Sequence, residues 1–571
     1  MVVSAPFLQI KERIDLCPGG YLSVEHARRL DDLEPLVRDE YTEYIGKLAA
    51  DNDVEGTVWF LAPLCRNPFA SDILERLLRL TLLREYLEKG FKEFELVVDS
   101  SDMRAVTQQL VSQYPTQVNY KVIKKRKHQT VLRKIGQLFY NTLNSYLWPR
   151  LIQGKRYFHR KSIMVEASIN ARTFNLDTSL DQSYFPGLLE LAERVGQKEK
   201  IVFVVLSVFG LRSLRSYYRF WQSVRRHKQP FIVKEDWLTW IDYLWALKYS
   251  FIMPFRITQV PMWRTLDLSG LVKFEIRRQC GSSELLTPLL AYRMWANLKR
   301  SGFQLEGVID WSENQTIDRA LCLGVKKHFP SVRIKGYQGF FISEYYTALD
   351  ITEYEKAGGT TPDEVLVVSE KLIKPRKKYC SNQRVSTAPA FRFTPLDRPE
   401  IEKNLWHKKI LVGLPIYYDL TERILEVCGG LSQELKDKLR VRPHLYFRPD
   451  HLDFLCVKHA IPRDLLVDGG VPIQHHFVDS ELLISTGSSL CAQAVSAGIR
   501  VAVIGSQSGP TLNPLIFRVS DHLWRTCYSP QEVTDYFFEK QRPDMLCGEE
   551  ELFVPVTESG VSAMLKFGAC D

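Results

Sequence analysis

What the chain lacks narrows its class first. Its eleven cysteines lie singly, and none sits at CxxC spacing. That disfavours a disulfide scaffold or a zinc site and suits a reducing cytosol. No uninterrupted apolar run reaches the ~20 residues that a spanning helix needs. The first residues, MVVSAPFLQIKERIDL, meet charge before an apolar core can build, so no secretory leader is expected. There is no clear internal repeat and no low-complexity tract. No acidic cluster at metal-ligand spacing stands out, so no metal is expected.

What is present is ordinary for a globular protein in bulk. The 571 residues are 45% hydrophobic and 25% charged, too many for one core, which suggests two or three domains. The net charge of +9 allows an anionic partner without specifying one.

One stretch organises the rest: LLISTGSSLCAQAVSAGIRVAVIGSQSG, residues 482–509. A short apolar strand breaks into Ser485, Thr486, Gly487, Ser488 and Ser489. A helical pattern follows and stops at Gly498, and a second apolar strand runs to Ile504. Ser488 or Ser489 is a natural N-cap. A helix start with free N–H groups can hold a phosphate. The plain alternative is a capped helix in an ordinary βαβ unit.

The N-terminal half reads as alternating strands and helices: strand Thr57–Leu61, helix Ser71–Gly90, strand Phe94–Val98, a helix, then strand Tyr120–Ile123. That alternation predicts a parallel, doubly wound sheet. Two stretches, Ile123–Lys161 and Leu211–Lys228, mix Lys and Arg with Trp, Tyr and Phe. Such a mixture suits an anionic membrane surface, and less well nucleic acid; a helix with a buried aromatic face is the plain reading. Ile163–Ala167 and Ile201–Ser207 predict further strands, and residues 234–300 a helical insertion.

A second constellation lies in Glu306–Phe341. The strand Gly307–Ile309 leads into Asp310, Trp311, Ser312, Glu313, Asn314 and Gln315, ahead of a helix over 316–328. Ligands of open α/β sheets bind at the carboxyl ends of strands. Asp310 or Glu313 could serve there as a general base, or merely cap the helix. The strand Arg333–Tyr337 ends in Gln338-Gly339-Phe340, a turn that could line the same cleft. Residues 374–404, rich in Pro and charge, read as a linker. Beyond them the strand Lys409–Leu414 opens a second alternating half, whose segment Leu439–Phe447 carries Arg442, Pro443 and His444.

The expected architecture is α/β: two Rossmann-like doubly wound domains with a helical insertion in the N-terminal half. Residues 1–345 form the first domain, 346–405 a crossover, and 406–571 the second. This layout resembles the GT-B glycosyltransferases. The segments WSENQTIDRA, IKGYQGF, PDEVLVVSE and ISTGSSLCAQAVSAGI resemble, in that order, a family of bacterial surface carbohydrate biosynthesis proteins, over about residues 55–510. More distantly, the chain is similar to transferases that use CMP-activated sialic acid or Kdo. Those carry an acidic base motif, a His-Pro motif and a Ser-Ser motif. Here Ser488-Ser489 matches the last. His444 stands where the His would be, with Leu445 in place of the Pro, and Asp310 or Glu313 stands near the base in the sequence DWSE.

The resemblance implies a metal-independent glycosyltransferase of the cytoplasm, peripheral at the inner face of the plasma membrane. It would have no cofactor beyond a nucleotide-sugar donor, CMP-linked in the distant likeness, and a glycan or lipid-linked glycan acceptor. Asp310 or Glu313 would deprotonate the acceptor, and His444 would meet the leaving phosphate. Arg442, Ser485, Gly487, Ser488 and Ser489 would hold the nucleotide, and Gln338 would line the cleft. A polyol-phosphate transferase, a nucleotide-sugar epimerase and a non-catalytic scaffold of a glycan-assembly complex are the alternatives.

Overall fold

The computed structural model describes residues 11–123 without Val54, 131–152, 161–393 without Arg172, Ser183, Arg212 and Pro230, 409–539, and 552–568. For Lys11 and residues 131–135 it describes the backbone alone. Its strands form three sheets, each parallel throughout.

The largest sheet has seven strands: β4 (Ser162–Asn170), β5 (Ile201–Phe209), β6 (Phe231–Val233), β7 (Leu305–Trp311), β8 (Arg333–Gln338), β9 (Glu364–Val367) and β10 (Arg384–Thr387). Their order is β10-β9-β8-β7-β4-β5-β6. The middles of β4 and β5, Met164–Glu166 and Phe203–Val205, are buried, as strands covered on both faces by helices must be. The order reverses between β4 and β7, and such a reversal leaves a crevice at the carboxyl ends. The second sheet has five strands: β11 (Lys409–Gly413), β12 (Leu439–Arg442), β13 (Ser480–Ser485), β14 (Arg500–Ile504) and β15 (Trp524–Cys527). Their order, β12-β11-β13-β14-β15, reverses between β11 and β13. These are the two Rossmann-like doubly wound units that the alternation predicts.

The helical insertion lies between β6 and β7. Its helices are Trp240–Ile252, Ser269–Arg277 and Ser283–Arg300. The last packs on the helix Thr316–His328. A Cβ at Gly324 would stand 2.3 Å from the Trp295 ring, so this crossing admits only glycine.

Three expectations change. Thr57–Leu61 is no strand but the short 3-10 turn Thr57–Phe60, wholly buried. An apolar run of that length fits either element, and Gly56, in the left-handed region at φ 74, turns the chain into it. The strands near Phe94 and Tyr120 do not join β4. They are β2 (Glu93–Val98) and β3 (Gln117–Val122), paired with β1 (Lys11–Asp15) in a separate three-stranded sheet. Within the stretch read as a linker, Arg384–Thr387 is a strand of the seven-stranded sheet. The basic-aromatic stretch Ile123–Lys161 lies partly outside the described residues; the helix Val131–Leu151 lies within them.

The two large sheets share one apolar core. Val165, Phe203 and Ile309 of the first join Leu411, Leu483 and Val501 of the second, with Phe341 among them. The neighbourhood of the three-stranded sheet clasps the five-stranded one through Arg79, which donates to the Ser508 carbonyl at 3.0 Å, and Leu22, which donates to Gln507 O at 2.7 Å. At the far end Lys335 Nζ donates to the carbonyls of Ala563, Met564 and Lys566, so the last described helix, Glu558–Leu565, returns to the seven-stranded sheet. Replacing wholly buried Phe341 with Ala should cost about 3–5 kcal/mol. Urea unfolding will show this as a lower midpoint; an unchanged midpoint would mean that the sheets do not depend on this contact.

Candidate functional site

The loop after β7 is fixed from below by a buried ion cluster. Glu355 receives Arg66 Nη2 at 2.8 Å and also the Arg319 guanidinium, with all three side chains fully buried. Asn314 Nδ2 donates to the same carboxylate at 3.1 Å and to Ala348 O at 2.9 Å. Asn314 sits in the left-handed region at φ 55, which Asn tolerates better than most residues. Burial alone would raise the Glu355 carboxyl; the two guanidiniums overcome it and hold the carboxyl low. The loop's shape thus depends on charges that are not in the loop.

That geometry separates the two candidate bases. Asp310 lies within β7, wholly buried, with the Ser312 hydroxyl nearby. Burial, then the neighbouring Glu166 carboxyl, pushes it well above the usual carboxylate range. Buried Asp318, at the start of the next helix, is raised by burial and by Asp310. Asp310 is therefore a core group sealed from solvent, and the expectation of it as an accessible base is corrected. Its side chain belongs to the sheet's interior because β7 is covered on both faces.

Glu313 is different. It is half-buried, and its carboxylate accepts from Trp311 Nε1 at 3.2 Å and from the Tyr346 hydroxyl at 3.4 Å. Burial raises it, while Trp311, Tyr346 and Arg392 oppose the rise. Aromatic rings border the place. Phe69 stacks on Tyr417 at 4.4 Å and lies 6.0 Å from Tyr346, and Tyr184 stacks on Trp311 at 4.2 Å. Arg392 lies over Trp311 at 5.6 Å. A raised carboxylate bordered by aromatic rings suits proton abstraction.

In the five-stranded unit, His444 follows β12, which ends at Arg442 because Pro443 has no N–H for the ladder. Its Nδ1 accepts from Tyr446 N at 3.2 Å, leaving Nε2 as the donor of the neutral ring. Burial, Arg442 and Arg392 keep its pKa below the ordinary histidine value. Arg392 thus acts on Glu313 and on His444 alike. Ser489 closes the same seam: its hydroxyl donates to Phe341 O at 3.0 Å and accepts from Phe341 N at 3.2 Å. Phe340, the preceding residue, lies 4.8 Å from Trp311. The carboxyl ends of β7, β8 and β13 meet along one seam.

Several expected ligands are engaged within the protein. Ser485 is buried and donates to Gly413 O at 2.7 Å. The Gly487 N–H donates to Leu512 O at 2.7 Å. Arg442 Nη2 donates to Gly469 O at 2.7 Å and Val471 O at 3.1 Å. Gln338 lines no cleft: it is buried, donates to Leu349 O at 2.9 Å and accepts from Arg376 Nε at 2.6 Å. Of the turn, Ser488 keeps a hydroxyl whose oxygen accepts from Leu490 N at 3.2 Å and whose proton is uncommitted to any described acceptor. Sequence reasoning missed Arg392, Tyr346, Tyr417 and Phe69. Arg392 sat in the segment read as linker, and the three rings converge only through tertiary contacts.

No family model and no curated protein matches the chain. Solved structures align loosely. S. aureus MnaA in complex with UDP has 10% identity and a TM-score of 0.38, over 71% of this chain and 95% of that one. A UDP-N-acetylglucosamine 2-epimerase has 11% identity and a TM-score of 0.35, over 71% and 94%. The lipopolysaccharide outer core galactosyltransferase WaaB, in its apo form, has 12% identity and a TM-score of 0.37, over 71% and 100%. Superpositions this loose leave function to the chain's own residues.

Glu355→Gln removes the charge that two buried guanidiniums share and should cost about 3–5 kcal/mol. Because the folded carboxyl is held low, its contribution is present above the unfolded value of about 4.3 and is lost as pH falls through the folded one. The wild type should therefore lose stability on acidification more steeply than Glu355→Gln in thermal melts across that range. Parallel pH curves would remove Glu355 from this role.

Proposed function

We propose that this chain is a glycosyltransferase-like protein of surface polysaccharide biosynthesis, transferring a sugar from a nucleotide-activated donor to a glycan acceptor. The observation that carries the reading is the seam where the loop of Glu313 meets the Ser turn: Ser489 and Phe341 exchange two hydrogen bonds, Phe340 and Arg392 lie against Trp311, and Trp311 donates to Glu313. In this reading Glu313 takes the proton of the acceptor hydroxyl. Neutral His444 donates from Nε2 to the leaving phosphate, and Ser488 and Arg392 add to its stabilisation. The acceptor lies against the seven-stranded sheet and the donor against the five-stranded one. Nucleotide identity stays open among CMP, UDP, GDP and CDP.

The protein would work at an anionic membrane surface. Among the described residues no helix is long and apolar enough to cross a membrane. The helix Val131–Leu151 instead exposes Phe139, Leu143, Leu147 and Leu151 at one-turn intervals, and Trp240 and Leu244 are exposed on the helix Trp240–Ile252. The two helices touch through Tyr146 and Tyr243, with ring centres 5.5 Å apart. Such a stripe suits shallow insertion.

Thermal unfolding with each of the four nucleotides tests the donor site. One should raise the midpoint, by mass action on the folded state; no shift with any of them favours the scaffold alternative. With the active nucleotide sugar, Glu313→Gln should lower turnover by about 10²-fold or more, whereas Asp310→Asn should leave it within a few-fold. Equal losses would overturn the division between the two carboxyls. The acid limb of the pH–rate profile should fall at a pH above the ordinary carboxylate range, since Glu313 must be ionised to act and burial raises it.

A further inference from the structure

The helix Leu214–Arg226 carries four arginines that split between two faces. Arg225 faces inward. It pairs with Asp236 at 2.6 and 2.7 Å and donates to the carbonyls of Ile152 and Pro149. Arg215, Arg219 and Arg226 face the other way and line an open cavity of about 530 Å³. Among the described residues none of these three has a carboxylate partner, and no acidic side chain lines the cavity. Ser213, Ser216 and Ser223 add hydroxyls to the same wall, and the first turn of the helix opens onto it. Across the cavity stand Ala171, Phe174 and Leu176.

The place in the fold is informative. Ala171 follows β4 and Gly210 follows β5, so the cavity opens at the carboxyl ends of two strands beside the switch point. A second cavity, of about 480 Å³, shares Gly210 and Phe220 with it. That second cavity reaches Thr316 and Ile317, which follow the Glu313 loop. The arginine cavity thus neighbours one that ends beside the helix following the Glu313 loop. Three guanidiniums on one wall repel one another unless a multivalent anion joins them. Their forked donors match phosphate oxygens, and a helix start favours the same charge. Exposed Phe209 and Leu214, next in sequence to the lining residues Gly210 and Ser213, offer apolar surface.

We propose that this cavity holds a phosphate or diphosphate group of the acceptor. The inference rests on the acceptor half of the reading above and deepens it, because the acceptor then bears phosphate. Two sources share that chemistry: a lipid headgroup at the membrane and a soluble sugar phosphate.

The test is calorimetric titration of the full chain with inorganic pyrophosphate. Binding should weaken at least about tenfold in Arg215→Gln/Arg219→Gln and less in Arg215→Lys/Arg219→Lys, which keeps charge without the fork. Both arginines are exposed, so the thermal midpoints of the variants without ligand should match the wild type and report intact folding. Vesicles of phosphatidylcholine with phosphatidic acid separate the sources. If pyrophosphate displaces the protein from them and the Gln variant fails to bind, the group is a lipid headgroup. If vesicle binding survives in the Gln variant while pyrophosphate binding is lost, the source is soluble. No pyrophosphate binding by the wild type, or equal binding by the Gln variant, overturns the proposal. Nucleotide stabilisation is read separately, with CMP, UDP, GDP and CDP on the same variants. If pyrophosphate binds through the arginines while no nucleotide stabilises the chain, the transferase reading fails and the cavity stands.

Discussion

The carboxylate of Glu355 is the contact on which the candidate site depends. It lies fully buried between Arg66, from the N-terminal segment, and Arg319, from the helix after β7, and it also receives Asn314. An isolated buried charge would be costly, and two guanidiniums sharing one carboxylate leave the cluster with a net positive charge. Backbone carbonyls absorb the rest: Arg66 donates to Thr347 O at 2.8 Å, and Arg319 to Leu64 O at 3.1 Å. The cluster thereby ties the loop 312–315 to the segment 347–355 and to the turn 57–65. Glu313 precedes Asn314, which is bonded into that cluster.

A second set of polar contacts joins the halves of the molecule. Arg518 is buried and donates to Ile342 O, and it lies 3.6 Å from Glu344, which also meets Arg38 at 2.9 Å. Burial, then the nearby Arg376, lowers the Arg518 guanidinium to about 10. Together with the two hydrogen bonds between Ser489 and Phe341, these contacts make the segment after β8 the common wall of the sheets. A serine that reads as a phosphate ligand in one dimension is a suture in three.

The two carboxyls of DWSE show how strongly position in a sheet governs chemistry. Asp310 and Glu313 are three residues apart, and both are raised by burial. Asp310 is wholly buried beside Glu166 and Ser312. Glu313 has an indole, a phenol and an arginine around it and borders the seam.

The sequence by itself determined the doubly wound units. Apolar runs such as IVFVVLS can be buried only under helices on both faces, and the alternation of strand and helix leaves few topologies. It also determined the helical insertion, the left-handed stop at Gly498, and the interest of DWSE and the Ser turn. Tertiary structure decided what those motifs do. Whether TVWF is a strand or a turn depends on what it packs against, here the helix that carries Arg319. Whether Asp310 is a base depends on which side of β7 its Cβ points, and whether Ser489 is free depends on Phe341, 148 positions away. Arg392, Tyr417 and Phe69 carry no local pattern at all. A motif fixes the residue types within reach of one another along the chain; burial, partner charges and free donors are properties of the packed molecule.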